Sequence, residues 1–220
     1  MRINKYIAQA SGLSRRAADA AVEAGRVLAN GQKAQTGQEV TENDDIRLDG
    51  KKLAAIDAPQ TIILNKPAGY VVSRDGQGSK TVYDLLPPEL HHLKPVGRLD
   101  KDSSGLLLFT NDGQLAQELT HPKYQKTKIY EVELDKPLQP LHCQIINEYG
   151  VELSDGPSKL ALERLKDDDE KAWRVTIREG RNRQIRRTFA ALGYEVTKLH
   201  RTHFGNYTLQ DLRPGQNHPA

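Results

Sequence analysis

Residues 97–113 read Gly97-Arg98-Leu99-Asp100-Lys101-Asp102-Ser103-Ser104-Gly105-Leu106-Leu107-Leu108-Phe109-Thr110-Asn111-Asp112-Gly113. A charged loop runs straight into four apolar residues. The run Leu106 to Phe109 has no polar break, which predicts a short strand buried on both faces. Asn111-Asp112-Gly113 predicts a turn that closes it, followed by a helix over 114–119. A loop fixed to a core strand is held rigidly, as a catalytic group requires. This loop carries two carboxylates, Asp100 and Asp102, and one guanidinium, Arg98.

The flanking sequence predicts further strands around that one. Thr61-Ile62-Ile63-Leu64 is an apolar strand entering Asn65-Lys66-Pro67-Ala68-Gly69. Gly76 to Ser79 is a flexible loop, and residues 81–86 form a short helix stopped by Pro87-Pro88. Lys128 to Leu134 alternates, with Tyr130, Val132 and Leu134 on one face. Trp173 to Arg178 alternates likewise. Glu179-Gly180 leads into a predicted helix over 181–192, with Ile185, Phe189 and Leu192 as its apolar face. On that helix Arg183, Arg186 and Arg187 stand at i, i+3, i+4 and form one basic stripe. Residues 194–201 are a further strand, and the stretch from Arg213-Pro214-Gly215 onward is a frayed tail.

The first 53 residues have a different texture. Ile3, Tyr6, Ile7 and Ala10 are at helical spacing, and Ser11-Gly12 ends that helix. Ser14 is an N-cap for a second helix that stops at Gly25. Arg15 and Arg16 then fall in its first turn, the wrong sign for the helix dipole. Free N–H groups and two guanidiniums aimed at one anion would explain them. Asn30-Gly31 and Asp49-Gly50 are both type I′ hairpin signals. The expected organisation is a module over 1–53, a linker over 54–60 and a larger domain over 61–220.

Composition narrows the function classes. The chain has 220 residues, a net charge of +3 and one cysteine, Cys143. Mean hydropathy is −0.67. No apolar stretch reaches the ~20 residues that span a bilayer, and the N-terminus lacks the apolar core of a signal peptide. A lone cysteine gives no disulfide framework, so a reducing, cytoplasmic setting is expected. Basic residues cluster at Arg15-Arg16 and between Arg178 and Arg201, while Asp167 to Glu170 is a solvated acidic loop. His91-His92 and His200 with His203 match no complete metal-ligand spacing, so no metal is expected.

Two resemblances join these observations. "RINKYIAQASGLSRRAADAAVEAGRVLANGQKA" with "DDIRLDGKKL" resembles the S4 RNA-binding domain. The likeness implies that Ser14, Arg15, Arg16, Arg26 and Asn30 lie on or near the RNA-facing surface. "LNKPAGYV", "GRLDKDSSGLLLFTNDGQLAQELTHP", "KTKIYEVEL" and "EGRNRQIRRTFAALGYEV" resemble, in that order, the RsuA-type ribosomal RNA pseudouridine synthases. Ser103 stands where a threonine is common, and Arg183 where some relatives have histidine. The implied fold is α+β. It pairs a small S4 module with a catalytic domain on a mixed, largely antiparallel sheet, with flanking helices and a central cleft.

The resemblance also implies a reaction and a site. A uridine in ribosomal RNA loses its N1–C1′ bond, rotates and rejoins through C5. Asp100 is the implied catalytic carboxylate, a covalent nucleophile or a base at the sugar. Arg186 is its implied cationic partner, with Arg187 as fallback. Tyr130 lies against the base and Ile185 packs below it. Arg98, Arg181, Arg183 and Arg187 are implied RNA contacts, and Asp102 supports the loop by turn hydrogen bonds. The target base is flipped out of its stack. No redox change occurs, so no cofactor is implied, and the uracil anion can be stabilised by hydrogen bonds rather than a metal. The implied partner is ribosomal RNA or an assembly intermediate, bound by a monomer, with the large-subunit RNA favoured by the "EGRNRQIRR" form. Two rival readings stay open at this point. One is a hydrolase using Asp100 and Asp102, which in an extended segment would sit about 7 Å apart on one face. The other is a non-enzymatic RNA-binding or ribosome-associated factor.

Overall fold

The computed structural model describes residues 1–53 and 58–220, so 54–57, within the expected linker, lie outside the described residues. The chain divides into two compact units, Met1–Pro59 and Gln60–Ala220.

The first unit is two helices on a small sheet. Helix α1 (Ile3–Ser11) buries Ile3, Tyr6 and Ile7 and ends at Gly12, whose φ of 76° suits glycine. Ser14 caps α2 (Arg15–Glu23), its hydroxyl accepting from the Ala17 amide at 3.1 Å. Strands β1 (Val27–Ala29), β2 (Gln32–Lys33), β3 (Ile46–Leu48) and β4 (Lys51–Lys52) follow in the order β2-β1-β3-β4. Both hairpins turn as their sequences demand. Asn30 and Gly31 have φ of 52° and 81°, Asp49 and Gly50 of 51° and 79°.

The second unit is a long mixed sheet. Its strands are β5 (Thr61–Lys66), β6 (Lys94–Pro95), β7 (Ser104–Thr110), β8 (Lys128–Leu134), β11 (Ala161–Arg164), β12 (Ala172–Ile177), β13 (Val196–Phe204), β14 (Tyr207–Thr208) and β15 (Asn217–Pro219). The main path runs β11-β12-β8-β13-β7-β5-β15, with β6 on β7 and β14 on β13. All described pairings are antiparallel except β13 with β7. A separate hairpin joins β9 (Val151–Leu153) to β10 (Gly156–Ser158). Helices α3 (Gly113–Thr120), α4 (Pro140–Gln144) and α5 (Gln184–Ala191) complete it, α4 widening into a π turn over Ile145–Tyr149.

Strand β7 shows why the opening apolar run is continuous. Leu107 and Phe109 enter one core cluster and Leu106 and Leu108 another, each fully buried. Every residue therefore meets an apolar layer, contributing about 2 kcal/mol per side chain. Asp112 does more than close a turn: its carboxylate caps α3, accepting from Gln114 and Leu115.

Two expectations are corrected. Helix α5 starts at Gln184, not Arg181, because Arg183 is left-handed with φ 45°. The basic stripe therefore loses its first member. The stretch after Arg213 is no frayed tail but β15, which pairs with β5 in register Leu64 to Asn217. Its tie is backbone hydrogen bonding, with Asn65 Nδ2 adding a bond to the Leu212 carbonyl at 2.7 Å.

Candidate active site

The loop of residues 97–103 joins β6 to β7, and β6 pairs with the far end of β7, Pro95 opposite Phe109. Its floor is a lysine. Lys66 ends β5, is 0% exposed, and directs Nζ at the loop's own carbonyls. It donates to Ser103 O at 2.6 Å, Asp100 O at 3.1 Å and Lys101 O at 3.5 Å, and to Pro67 O at 3.1 Å. Burial pushes the Lys66 ammonium down to about 8, against the pull of the Asp102 and Asp100 charges. The Gly69 amide adds a bond to Lys101 O at 2.7 Å, and Ser103 N closes a turn on Asp100 O at 3.1 Å. An otherwise irregular loop is thus tied at three of its residues, Asp100, Lys101 and Ser103.

The two carboxylates of the loop part ways. Asp100 lines a cleft of about 830 Å3 that also contains Tyr130, Ile185 and Arg98. Asp102 lines a neighbouring depression beside Ala68 and Gly69. Arg183 bridges both, with Nη1 3.4 Å from Asp100 Oδ2 and 3.1 Å from Asp102 Oδ1. Its Nη2 donates to Asp102 Oδ2 at 3.3 Å. Burial pushes the Asp102 carboxyl up, but the Arg183 hydrogen bond and the Arg186 and Arg183 charges outweigh it and hold it below the ordinary value.

Arg186 does not reach Asp100. It donates to Val196 O at 2.6 Å and Ser103 Oγ at 3.4 Å, and pairs with Asp102 Oδ2 at 3.3 Å. The arginine expected to face the catalytic carboxylate therefore braces the loop from behind, and Arg183 faces Asp100 instead. The left-handed Arg183 starts α5 about one turn later than expected, and Arg183 bridges both carboxylates while Arg186 pairs with Asp102. Asp102 supports the loop as expected, though through these arginines rather than through turn hydrogen bonds.

Tyr130 and Ile185 are buried, 7% and 4% exposed, and both line the cleft. Arg98 is exposed at its rim. Arg181 and Arg187 both turn to Asp155, at 2.9 and 2.7 Å. Arg181 also donates to the carbonyls of Gly156 and Pro157, fastening the β9–β10 hairpin to the start of α5. In the first unit Arg15 and Arg16 are exposed, Arg15 reaching Asn4 Oδ1 at 3.4 Å. Arg26 is clamped by Asp49 in a two-point pair at 2.8 and 2.5 Å. The Asn30 side chain bonds Asp44 and the Asp45 amide, bracing the hairpin. Sequence reading missed Lys66, Lys128 and Arg201, the latter two lining the cleft. The signal for Lys66 was a lysine closing an apolar strand before a proline.

A fixed carboxylate in a basic cleft with a buried tyrosine suits chemistry on an RNA base. Residues 60–191 match the family model described as RNA pseudouridylate synthase, and residues 1–46 match the S4 domain. The chain belongs to the RNA pseudouridylate synthase family. It is therefore an isomerase acting on RNA, with an S4 domain at the front of its catalytic domain. It is 38% identical to ribosomal large subunit pseudouridine synthase B of Bacillus subtilis (strain 168), over 97% of this chain and 89% of that protein. It is 37% identical to ribosomal small subunit pseudouridine synthase A of Yersinia pestis, over 100% and 94%. A crystal structure of a pseudouridylate synthase superposes with a TM-score of 0.71 at 33% identity, covering 100% of this chain and 96% of that one. The synthase fold thus accounts for the mixed sheet and its cleft. Among the described residues, no helix is long and apolar enough to cross a membrane.

Proposed function

We propose that this synthase isomerises one uridine of ribosomal RNA, with Asp100 as the catalytic carboxylate. The observation that carries the assignment is that Asp100, and not its neighbour Asp102, lines the cleft shared with Tyr130 and Ile185. The target uridine unstacks and enters that cleft. Asp100 acts at the sugar, as nucleophile or as base, and either task needs an ionised carboxylate. Arg183 Nη1 stands 3.4 Å from Asp100 Oδ2. The N1–C1′ bond breaks, the uracil rotates against Tyr130 and Ile185, and a C5–C1′ bond forms. C5 loses the proton that N1 gains, so atoms and electrons balance without a redox partner.

Relatives named for both ribosomal subunits match almost equally well. The "EGRNRQIRR" form of residues 179–187 favours the large-subunit RNA. In this reading residues 1–53 bring RNA through Arg15 and Arg16, a linker at 54–60 follows, and 61–220 catalyse. Arg98 and Arg181 contribute positive charge along the cleft. The enzyme works as a cytoplasmic monomer without a cofactor.

The test uses the full chain with large- and small-subunit RNA transcripts and assembly intermediates. Pseudouridine is mapped by chemical labelling. The wild type is expected to convert one uridine, and Asp100→Asn none while still binding RNA. Absence of pseudouridine on every substrate overturns the function. Conversion by Asp100→Asn overturns the residue assignment alone.

A further inference from the structure

Tyr130 has a neighbour that the chemistry above leaves without work. Arg201 stands opposite Tyr130 in the β8–β13 register, so both side chains leave the sheet on the same face. Arg201 is 2% exposed and still lines the cleft. Its Nε donates to the Leu106 carbonyl at 2.8 Å, and its guanidinium lies 4.8 Å from the centre of the Phe204 ring. Its Nη2 is buried without a partner.

Lys128 stands two residues before Tyr130 and lines the same cleft. Its Nζ lies 5.2 Å from that same ring and donates to the Glu179 carbonyl at 3.3 Å. Burial pushes the Lys128 ammonium down, and the Arg201 charge pushes it further, against a pull from Glu179. The Glu179 carboxylate is itself occupied, bonding Gln184 and standing 3.5 Å from Arg181. Among the described residues, Lys128 and Arg201 thus find only backbone carbonyls and one aromatic ring as direct partners. Buried charges are normally matched by opposite ones. Here a buried guanidinium and a half-buried ammonium share a ring, and among the described residues neither forms an ion pair with a carboxylate.

We propose that Lys128 and Arg201 form a seat for one phosphodiester of the RNA backbone, the one adjoining the nucleotide that enters beside Tyr130. The inference rests on the functional reading above and names the contact that anchors its substrate. A phosphodiester carries a full negative charge on two unbridged oxygens. A guanidinium and an ammonium can each take one. A uracil carbonyl is neutral in the ground state and needs a single donor. The Leu106 carbonyl fixes the guanidinium, and the Phe204 ring attracts both cations, so the seat is formed before RNA arrives. A phosphate held there leaves the ribose between the seat and the base pocket, where Asp100 meets it.

The experiment uses the full chain and a short ribosomal RNA fragment holding the target uridine. Two further fragments each carry one neutral methylphosphonate linkage, 5′ or 3′ of that uridine. Lys128→Gln is expected to weaken binding about tenfold and to lower the slope of log Kd against log salt by about 0.7, the value for one phosphate contact on a single strand. One of the two methylphosphonate fragments should bind the wild type as weakly as the variant binds the native fragment, with no further loss on combining them. An unchanged salt slope, or losses that add for both linkages, overturns the seat. A variant with native binding but a lowered kcat and a shifted pH profile assigns the pair to the base and overturns it equally. Arg201→Lys, which keeps the charge, is expected to retain the salt slope. If it fails to fold, Lys128→Gln still decides the question. Pseudouridine formation by the wild type on the unmodified fragment is scored separately, so failure of the reaction and failure of the seat are read apart.

Discussion

Asp100 and Asp102 are two residues apart and share Arg183, yet only one of them meets the cleft. Their variants should therefore differ in kind. Asp102→Asn removes the charge that holds Arg183 and Arg186, so the loop loses its brace while Asp100 stays in place. A loss of about 10–100-fold in kcat, with RNA affinity unchanged, is expected from steady-state kinetics, the size of a positioning error rather than a lost catalytic group. Lys66 gives a pH prediction. Its folded value of about 8 lies below the ordinary 10.5, so between these the unfolded chain holds more protons. Stability therefore rises with pH across that window, and below about 8 the full cost of the buried charge is present. Chemical denaturation from pH 7 to 10.5 should show the wild type gaining on Lys66→Met by up to on the order of 3 kcal/mol. A gap between the two that stays flat with pH would remove Lys66 as a buried titrating group. Neither the burial of Lys66 nor the swap of arginine partners can be read locally. A lysine before Pro67 and three arginines in six residues look like solvated charges. Only tertiary packing brings carbonyls around the first and carboxylates to the others.

At the level of elements, β7, β8 and β12 were legible because a continuous apolar run and two alternating ones leave little choice of structure. The start of α5 was not. Periodicity counts Arg183 as helical, and no side-chain pattern announces a left-handed arginine held by two aspartates. β15 escaped for the opposite reason. Arg213-Pro214-Gly215-Gln216 has the composition of a loose end, while its pairing with β5 is made by the backbone and leaves no side-chain signature. The parallel contact of β13 with β7 hangs on one position. Gly105 has φ 103°, and a Cβ there would sit 2.2 Å from the Arg201 carbonyl oxygen. Gly105→Ala must push the two strands apart and is expected to lower stability by about 2–3 kcal/mol in urea melts. Because Asp100 and Arg201 hang from those two strands, its kcat should fall as well. Native stability in this variant would contradict the close approach.

For the whole molecule, the S4 match lies in the first unit and the synthase match in the second, so the proposed function divides RNA delivery from catalysis between them. Of the basic residues expected to bind RNA, Arg26, Arg181, Arg183 and Arg187 are paired with aspartates, while Arg15 and Arg16 are exposed at the start of α2. Arg15→Ala combined with Arg16→Ala should weaken RNA binding and flatten its salt dependence, leaving single-turnover chemistry at saturating RNA unchanged. A fall in the single-turnover rate would give these arginines a part in catalysis itself. The order of synthesis adds one more consequence. Strand β5 ends in Lys66, the residue beneath the Asp100 loop, and its outer edge is completed by a segment 147 residues further on at the Asn65 to Leu212 contact. At about 5–20 residues per second, that edge stands open on the nascent chain for about 7–30 s. An unpaired edge invites foreign strands. The two isoleucines and the leucine of β5 make it the place where a chaperone would be needed most, and the candidate site waits for its frame until the end of the chain is made.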